Sequence, residues 1–272
     1  MIHVALSLMS TALETGAEHL DKYESLLDIV KDELTRNLVL LLSSERVATF
    51  SSTLWISYLV FATQRKHLKY QMEIFLTRLM EVVNSESNPK ITYEHKELVL
   101  DMVVRLYKMP EFITQLYVNY DCDLYTHNVF EDLTKMLSKN AFPVAGLYST
   151  QFLSLDALLT VIENVEKGSK KSVVKEGGDD NVQQQQKTDD EVQDQQQEYL
   201  ISSHEQLMSL KYKKKLITTA SELFNTKPSK GVSYLKEQGL IQDEPSEIAN
   251  FMRTNPHLDI SNMSNDKLKQ DY

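Results

Sequence analysis

Between Gly16 and Pro89 the chain contains neither glycine nor proline, and that gap constrains the fold more than any other feature. Strand-rich folds reverse the chain every 8–12 residues or so, and those reversals draw on glycine and proline for backbone angles that other residues adopt poorly. A stretch this long without either is helical. Only 7 glycines and 6 prolines occur in all 272 residues, so the expectation extends to the whole chain: an all-α protein. The charge-free stretch Val47–Thr63 is broken up by Thr49, Ser51, Ser52, Thr53 and Ser57. It falls short of the roughly 20 mostly apolar residues that a membrane-spanning helix needs. The apolar start, Met1–Met9, lacks the basic flank of a signal peptide and reads as an amphipathic helix. A soluble protein is expected.

Charge divides the sequence into three parts. Residues 1–165 carry a net charge of −7, residues 166–205 carry −5, and residues 206–272 carry +2. The first part reads as stacked helices. Leu98, Val99, Met102, Val103, Leu106 and Tyr107 share one face at 3.6-residue spacing, and Lys108-Met109-Pro110 ends that helix. Phe112, Ile113, Leu116, Tyr117 and Tyr120 form the next face. Asn128 with Glu131 opens another helix, which turns Val129, Phe130, Leu133 and Leu137 inward. Leu155, Leu158, Leu159 and Ile162 supply a further buried stripe. Asp21–Leu42 and Val47–Asn84 carry similar stripes with no breaker. Trp55, Tyr58, Phe61, Phe75, Phe112 and Phe130 all fall on such stripes and are expected in the core. Helices of this length joined by short turns point to an α-solenoid of the armadillo or HEAT kind.

Residues 166–205 read as a disordered, acidic, glutamine-rich linker. From Glu166 to Glu198 the only large apolar residues are Val173, Val174, Val182 and Val192. They bury too little surface to offset about 1–2 kcal/mol of backbone entropy per ordered residue. Residues 206–272 hold three shorter helices. The first carries Leu216, Ile217, Ala220, Leu223 and Phe224 and stops at Lys227-Pro228. The second ends at Gly239, a favourable C-terminal cap. The third opens at Pro245 and ends at Asn255-Pro256. Their core is thin and incomplete.

Catalytic signatures are missing. No glycine-rich phosphate loop exists. His204-Glu205-Gln206-Leu207-Met208 is half of a zinc-protease motif, with methionine where the second histidine belongs. The single cysteine, Cys122, excludes an internal disulfide and a thiolate-rich metal site. It lies between Asp121 and Asp123, which disfavour a reactive thiolate. No metal site and no cofactor are expected. The acidic loop Asn119-Tyr120-Asp121-Cys122-Asp123 instead suits docking on a basic or helix-N-terminal surface of another domain. Charge reversal at Asp121 and Asp123 is then expected to weaken binding without unfolding. The net charge of −10 argues against nucleic acid as a partner. The one basic cluster, Lys211, Lys213, Lys214 and Lys215, sits poorly at a helix start. It is a solvated face that leaves room for contact with an anionic membrane.

Asn119–Asp123, preceded by Phe112–Val118 and followed by Asn128–Pro143, resembles the box of the homology-upstream (HUS) region of large Arf guanine nucleotide exchange factors. The ending Leu137-Ser138-Lys139-Asn140-Ala141-Phe142-Pro143 is most similar to the Golgi-specific brefeldin-A-resistance subfamily. Lys31–Arg36, His67–Glu73 and Leu153–Ile162 resemble the same region. Beyond the linker, Lys213–Pro228, Lys230–Ile241 and Glu247–Asp259 resemble the first three helices of that family's Sec-seven catalytic domain. The resemblance implies a HUS-like solenoid at 1–165, a linker at 166–205, and the N-terminal part of a truncated all-α exchange domain at 206–272. It implies a regulatory role in Golgi vesicle traffic, in the cytoplasm and peripherally at Golgi membranes. The implied partners are an Arf-family small GTPase, through the complete parent protein, and the parent's other domains. Asn119, Tyr120, Asp121, Cys122 and Asp123 become interdomain contacts. No catalytic residue carries over, because the segment bearing the family's catalytic glutamate is not in this sequence, and the chain alone is expected to be inactive. An unrelated helical-repeat scaffold that binds partner proteins is the alternative.

Overall fold

The computed structural model describes residues 2–85, 88–142, 148–176 and 204–259, and no strand occurs among them. The chain forms two compact units. One comprises Met1–Tyr117 with Val129–Val182, and the other comprises Val118–Asn128 with Gln183–Tyr272.

The first unit holds α1 (Ile2–Gly16), α2 (Glu24–Ile29), α3 (Thr35–Leu41), α4 (Val47–Gln64), α5 (Lys69–Asn84), α6 (Tyr93–Tyr107), α7 (Phe112–Leu116), α8 (Val129–Ala141) and α9 (Ser149–Glu176). A π turn at Val30–Leu34 joins α2 to α3 without a break. In one layer α1 packs on α4, α4 on α6 and α6 on α9. In the other, α3 packs on α5 and α5 on α8. Contacts of α3 with α4, α5 with α6, and α8 with α9 tie the layers together. This is the pairwise stacking of an α-solenoid. The core between the layers is built on apolar side chains, with Phe50, Ile56, Phe61, Phe75, Leu79 and Leu100 each at most 1% exposed. Phe61 and Phe75 stack with ring centroids 4.8 Å apart. Trp55 and Tyr58 depart from expectation. They are only half-buried and stack on each other at 5.5 Å, and the Trp55 indole N–H donates to Glu14 Oε1 at 2.8 Å.

The serines and threonines of α4 do not oppose burial. Thr53 donates to Thr49 O and Ser57 to Thr53 O, both at 2.8 Å, so each buried hydroxyl is satisfied one turn back. The run Val47–Asn84, which lacks any breaker residue, is nevertheless two helices. A single 3₁₀ turn at Arg65–His67 separates them. Gln64, 2% exposed, donates from its side-chain amide to Ala17 O at 2.6 Å, which ties the end of α4 to the preceding helical pair.

The stripe on α9 is a second correction. Leu155, Leu159 and Ile162 are 43%, 57% and 64% exposed, whereas Ser154 and Ala157 are fully buried. The helix turns its small residues toward α6 and α8, where they permit close approach, and leaves its large apolar residues outside. It also runs to Glu176, so residues 166–176 of the expected linker are helical. Lys167 lies 3.6 Å from Glu163 one turn before it, a spacing that supports isolated helix. Of the remaining expected linker residues, 177–203 lie outside the described residues, and His204 and Glu205 open the next helix.

The second unit holds the loop 118–128 together with α10 (His204–Thr226), α11 (Pro228–Glu237) and α12 (Pro245–Thr254). Ile217, Ala220, Phe224, Val232, Leu235, Phe251 and Leu258 form its core. Three turn residues do what their types predict. Pro228 and Pro245 start their helices, and Gly239, at φ 66°, closes α11 while Leu240 N–H bonds Leu235 O. Gly231 is required by packing. A Cβ there would meet Phe224 Cβ at 2.6 Å and Ala220 O at 2.7 Å, so its absence lets α11 lie directly on α10.

Candidate functional site

The expected docking residues lie in a loop that begins in a π turn, Tyr117–Asp121, a feature frequent at functional positions. Tyr120, Asp121 and Cys122 are buried at 5%, 0% and 2% exposure, and Asn119 and Asp123 are half-buried. The loop folds around one carbonyl. Tyr120 O accepts the Asp123 N–H at 3.2 Å and the Thr126 hydroxyl at 2.8 Å. Asp123 Oδ1 accepts the Tyr125 N–H at 2.9 Å, a local turn that fixes this carboxylate as a cap.

The third donor to Tyr120 O is the amine of Lys214, 2.6 Å away and 94 positions later in the chain. The same amine reaches His127 O at 3.4 Å. Lys214 is 5% exposed. It occupies the apolar stripe of α10, three residues before Ile217, seven before Ser221 and ten before Phe224, all of them buried. A lysine on an apolar stripe needs a nest of acceptors for its charged head, and the loop carbonyls supply one.

Farther along, His257 and His127 meet edge to face with ring centroids 4.9 Å apart. A ring nitrogen of His257 lies 3.0 Å from Tyr125 O. Leu124 and Tyr125 pack on the core cluster of α10–α12. They also line an open cavity of about 280 Å³ with Lys213, Ile217, Glu247 and Phe251.

The basic cluster needs correcting at Lys214, whose buried amine is spent on backbone carbonyls and cannot meet a membrane. The reason given for the cluster's membrane contact changes too. Helix α10 begins at His204, so the lysines sit in its middle and are not misplaced against the helix dipole. Lys213 and Lys215 are exposed and Lys211 is half-buried. Full burial of Asp121 also overturns the expectation that its charge reversal leaves folding intact. Reversal there would place a cation at a fully buried position. Among the described residues no cluster of histidine, cysteine or carboxylate side chains has metal-binding geometry, and no helix is long and apolar enough to cross a membrane.

Comparison with known proteins accounts for both parts. Residues 1–129 match the family described as Mon2/Sec7/BIG1-like, HUS domain, and residues 213–265 match the Sec7 domain. The chain belongs to the large Arf exchange-factor family. It is 33% identical to the Golgi-specific brefeldin A-resistance guanine nucleotide exchange factor 1 homolog of Caenorhabditis elegans, over 95% of this chain and 15% of that protein. The Arabidopsis thaliana ARF guanine-nucleotide exchange factor GNOM is 28% identical over 94% of this chain and 18% of its own length. The human brefeldin A-inhibited guanine nucleotide-exchange protein 1 is 24% identical over 94% and 16%. The chain therefore spans less than a fifth of the length of these relatives. The two matches fall in the order in which the motifs were read, and the unrelated-scaffold alternative is not favoured. Lys214, itself within the segment that matches the Sec7 domain, thus holds by its backbone a loop whose residues 118–128 lie within the HUS match.

Proposed function

We propose that this chain is a regulatory part of a guanine nucleotide exchange factor for Arf-family GTPases in Golgi vesicle traffic. Its HUS-box loop, Asn119–Asp123, serves as the docking element for the opening helices of the exchange domain. The observation that supports this reading is the Lys214 amine on Tyr120 O at 2.6 Å. A charge-assisted hydrogen bond to a buried carbonyl fixes one backbone against another more firmly than surface ion pairs do. The loop contributes backbone acceptors and the apolar side chains Leu124 and Tyr125 to the exchange-domain helices. Its Asp123 carboxylate shapes the turn by accepting the Tyr125 N–H. The GTPase is engaged by the complete parent, together with the parent's other domains. The Golgi membrane is met peripherally from the cytoplasmic side, through Lys211, Lys213 and Lys215.

The test is release of fluorescent GDP from an Arf GTPase. The 272-residue chain is expected to leave the intrinsic release rate unchanged, and clear acceleration would overturn the regulatory assignment. In a complete exchange factor of this sequence, Lys214→Met is expected to alter the exchange rate on vesicles. An unchanged rate there would overturn the docking assignment alone.

A further inference from the structure

The N-terminal half of α10 exposes apolar and basic side chains together. Met208 and Tyr212 are 52% and 61% exposed, four residues apart and therefore on one face. Half-buried Leu216 continues their line. At 3.6 residues per turn, Lys211 and Lys215 fall on one side of Tyr212 and Lys213 on the other. The buried stripe of Ile217, Ala220 and Phe224 is turned away from this line. Lys213 and Lys215 are exposed, and neither amine makes an ion pair or hydrogen bond among the described residues. Glu247 lines the open cavity beside Lys213, but its Oε2 accepts the Gln242 N–H. On α10 itself the nearest acids are Glu205, one turn before Met208, and Glu222, about two turns after Lys215.

Size and charge select the occupant. Two exposed apolar side chains are too few for a stable protein interface, which buries about 800 Å² on each side. They suit a bilayer surface. A tyrosine ring belongs at the headgroup level, and lysines lay their stems along apolar surface while their amines stay among the headgroups. Anionic headgroups complement the unpaired amines. The net charge of −10 over the whole chain does not oppose this contact, because exposed charges more than about 8 Å away are largely screened at physiological salt. We propose that the N-terminal half of α10 lies on an anionic bilayer, with Met208 and Tyr212 inserted at the boundary between headgroups and acyl chains and Lys213 and Lys215 on the headgroups to either side. Insertion of this kind rests on the peripheral membrane contact through these lysines and adds to it the side chains that enter the bilayer.

The probes are vesicles of phosphatidylcholine mixed with phosphatidylserine, and vesicles of phosphatidylcholine alone. The full 272-residue chain is expected to sediment with the mixed vesicles only, and less so as salt is raised. Replacing Lys213 and Lys215 together by glutamine should weaken that binding about thirtyfold, and Tyr212→Ser about tenfold. All three side chains are exposed, so thermal melts should match wild type. Met208→Cys carrying an environment-sensitive dye reads insertion directly, since the chain's own Cys122 is buried. Its emission is expected to shift to the blue on the mixed vesicles. Lysine-dependent binding with no blue shift, and with Tyr212→Ser binding as wild type, would overturn insertion and leave the lysine contact standing. Absence of binding to either vesicle, or equal binding to both, would overturn insertion and the lysine contact together. Binding of poly-glutamate without binding of vesicles would make the occupant an acidic protein and overturn the bilayer likewise.

Discussion

Replacing Lys214 by methionine keeps the length and apolar stem of the side chain and removes only the charged donor. What is lost is a hydrogen bond of 2.6 Å to Tyr120 O and a longer one of 3.4 Å to His127 O. A hydrogen bond involving a charged group contributes about 1.5–3 kcal/mol net. Tyr120 O is not stranded by the change, because Thr126 Oγ1 and Asp123 N still donate to it at 2.8 and 3.2 Å. The desolvation cost of the buried ammonium is also relieved, which offsets part of the loss. The expected destabilisation of the loop against α10 is therefore about 1–3 kcal/mol, or roughly 5–150-fold in a local opening equilibrium.

Amide hydrogen exchange resolves this difference residue by residue. Protected amides of 118–128 should exchange faster in Lys214→Met by that factor. Amides in α4–α6, whose helices belong to the other compact unit, should keep wild-type protection. Lys215→Met, at an exposed neighbouring position, is the control and should change nothing. Unchanged protection of 118–128 in Lys214→Met would refute the reasoning, because the amine would then not hold the loop. Uniform loss of protection across α4–α6 would refute it too, since the lysine would then support the whole fold and not this attachment.

Gly231→Ala should cost about 1–3 kcal/mol or more in urea unfolding of the second unit. The new Cβ would fall within 2.7 Å of Ala220 O and Phe224 Cα, and a wild-type midpoint would mean that α11 can shift without penalty. Leu79→Ala, at a position 0% exposed between the solenoid layers, should lower stability by about 2–5 kcal/mol, read from thermal unfolding. At the surface, the Lys90 amine lies 2.7 Å from Glu45 Oε1, and its hydrogen bond and charge hold that carboxyl below its ordinary value of 4.5. The pair's stabilisation is thus present above that ordinary value and lost as pH falls through the lowered one. An NMR titration of Lys90→Met should show the Glu45 midpoint move upward, and an unmoved midpoint would show that the pair does not persist in solution.

Helix existence was legible because apolar spacing and the lack of glycine and proline act within a few residues of each other. The break between α4 and α5 was not, because no breaker residue marks it. Gln64, which bonds Ala17 O from 47 positions away, and the fully buried Leu68 frame it through tertiary contact. The thin core expected of α10–α12 gains Leu124 and Tyr125 from the loop 118–128, which no local pattern connects to it. Lys214 and the α9 seam show what periodicity can and cannot supply. A stripe identifies which face of a helix gains by being covered, because that gain depends on the helix alone. Whether it is covered depends on a surface elsewhere. Lys214 sits on a stripe that is covered, and its charge is accommodated because the covering loop offers carbonyls. Leu155 and Leu159 sit on a stripe that α6 and α8 leave open, because Ser154 and Ala157 on the opposite side let those helices approach more closely. The same 3.6-residue pattern thus yields a buried cation in one helix and an exposed leucine seam in another, and the difference lies in the residues that face them.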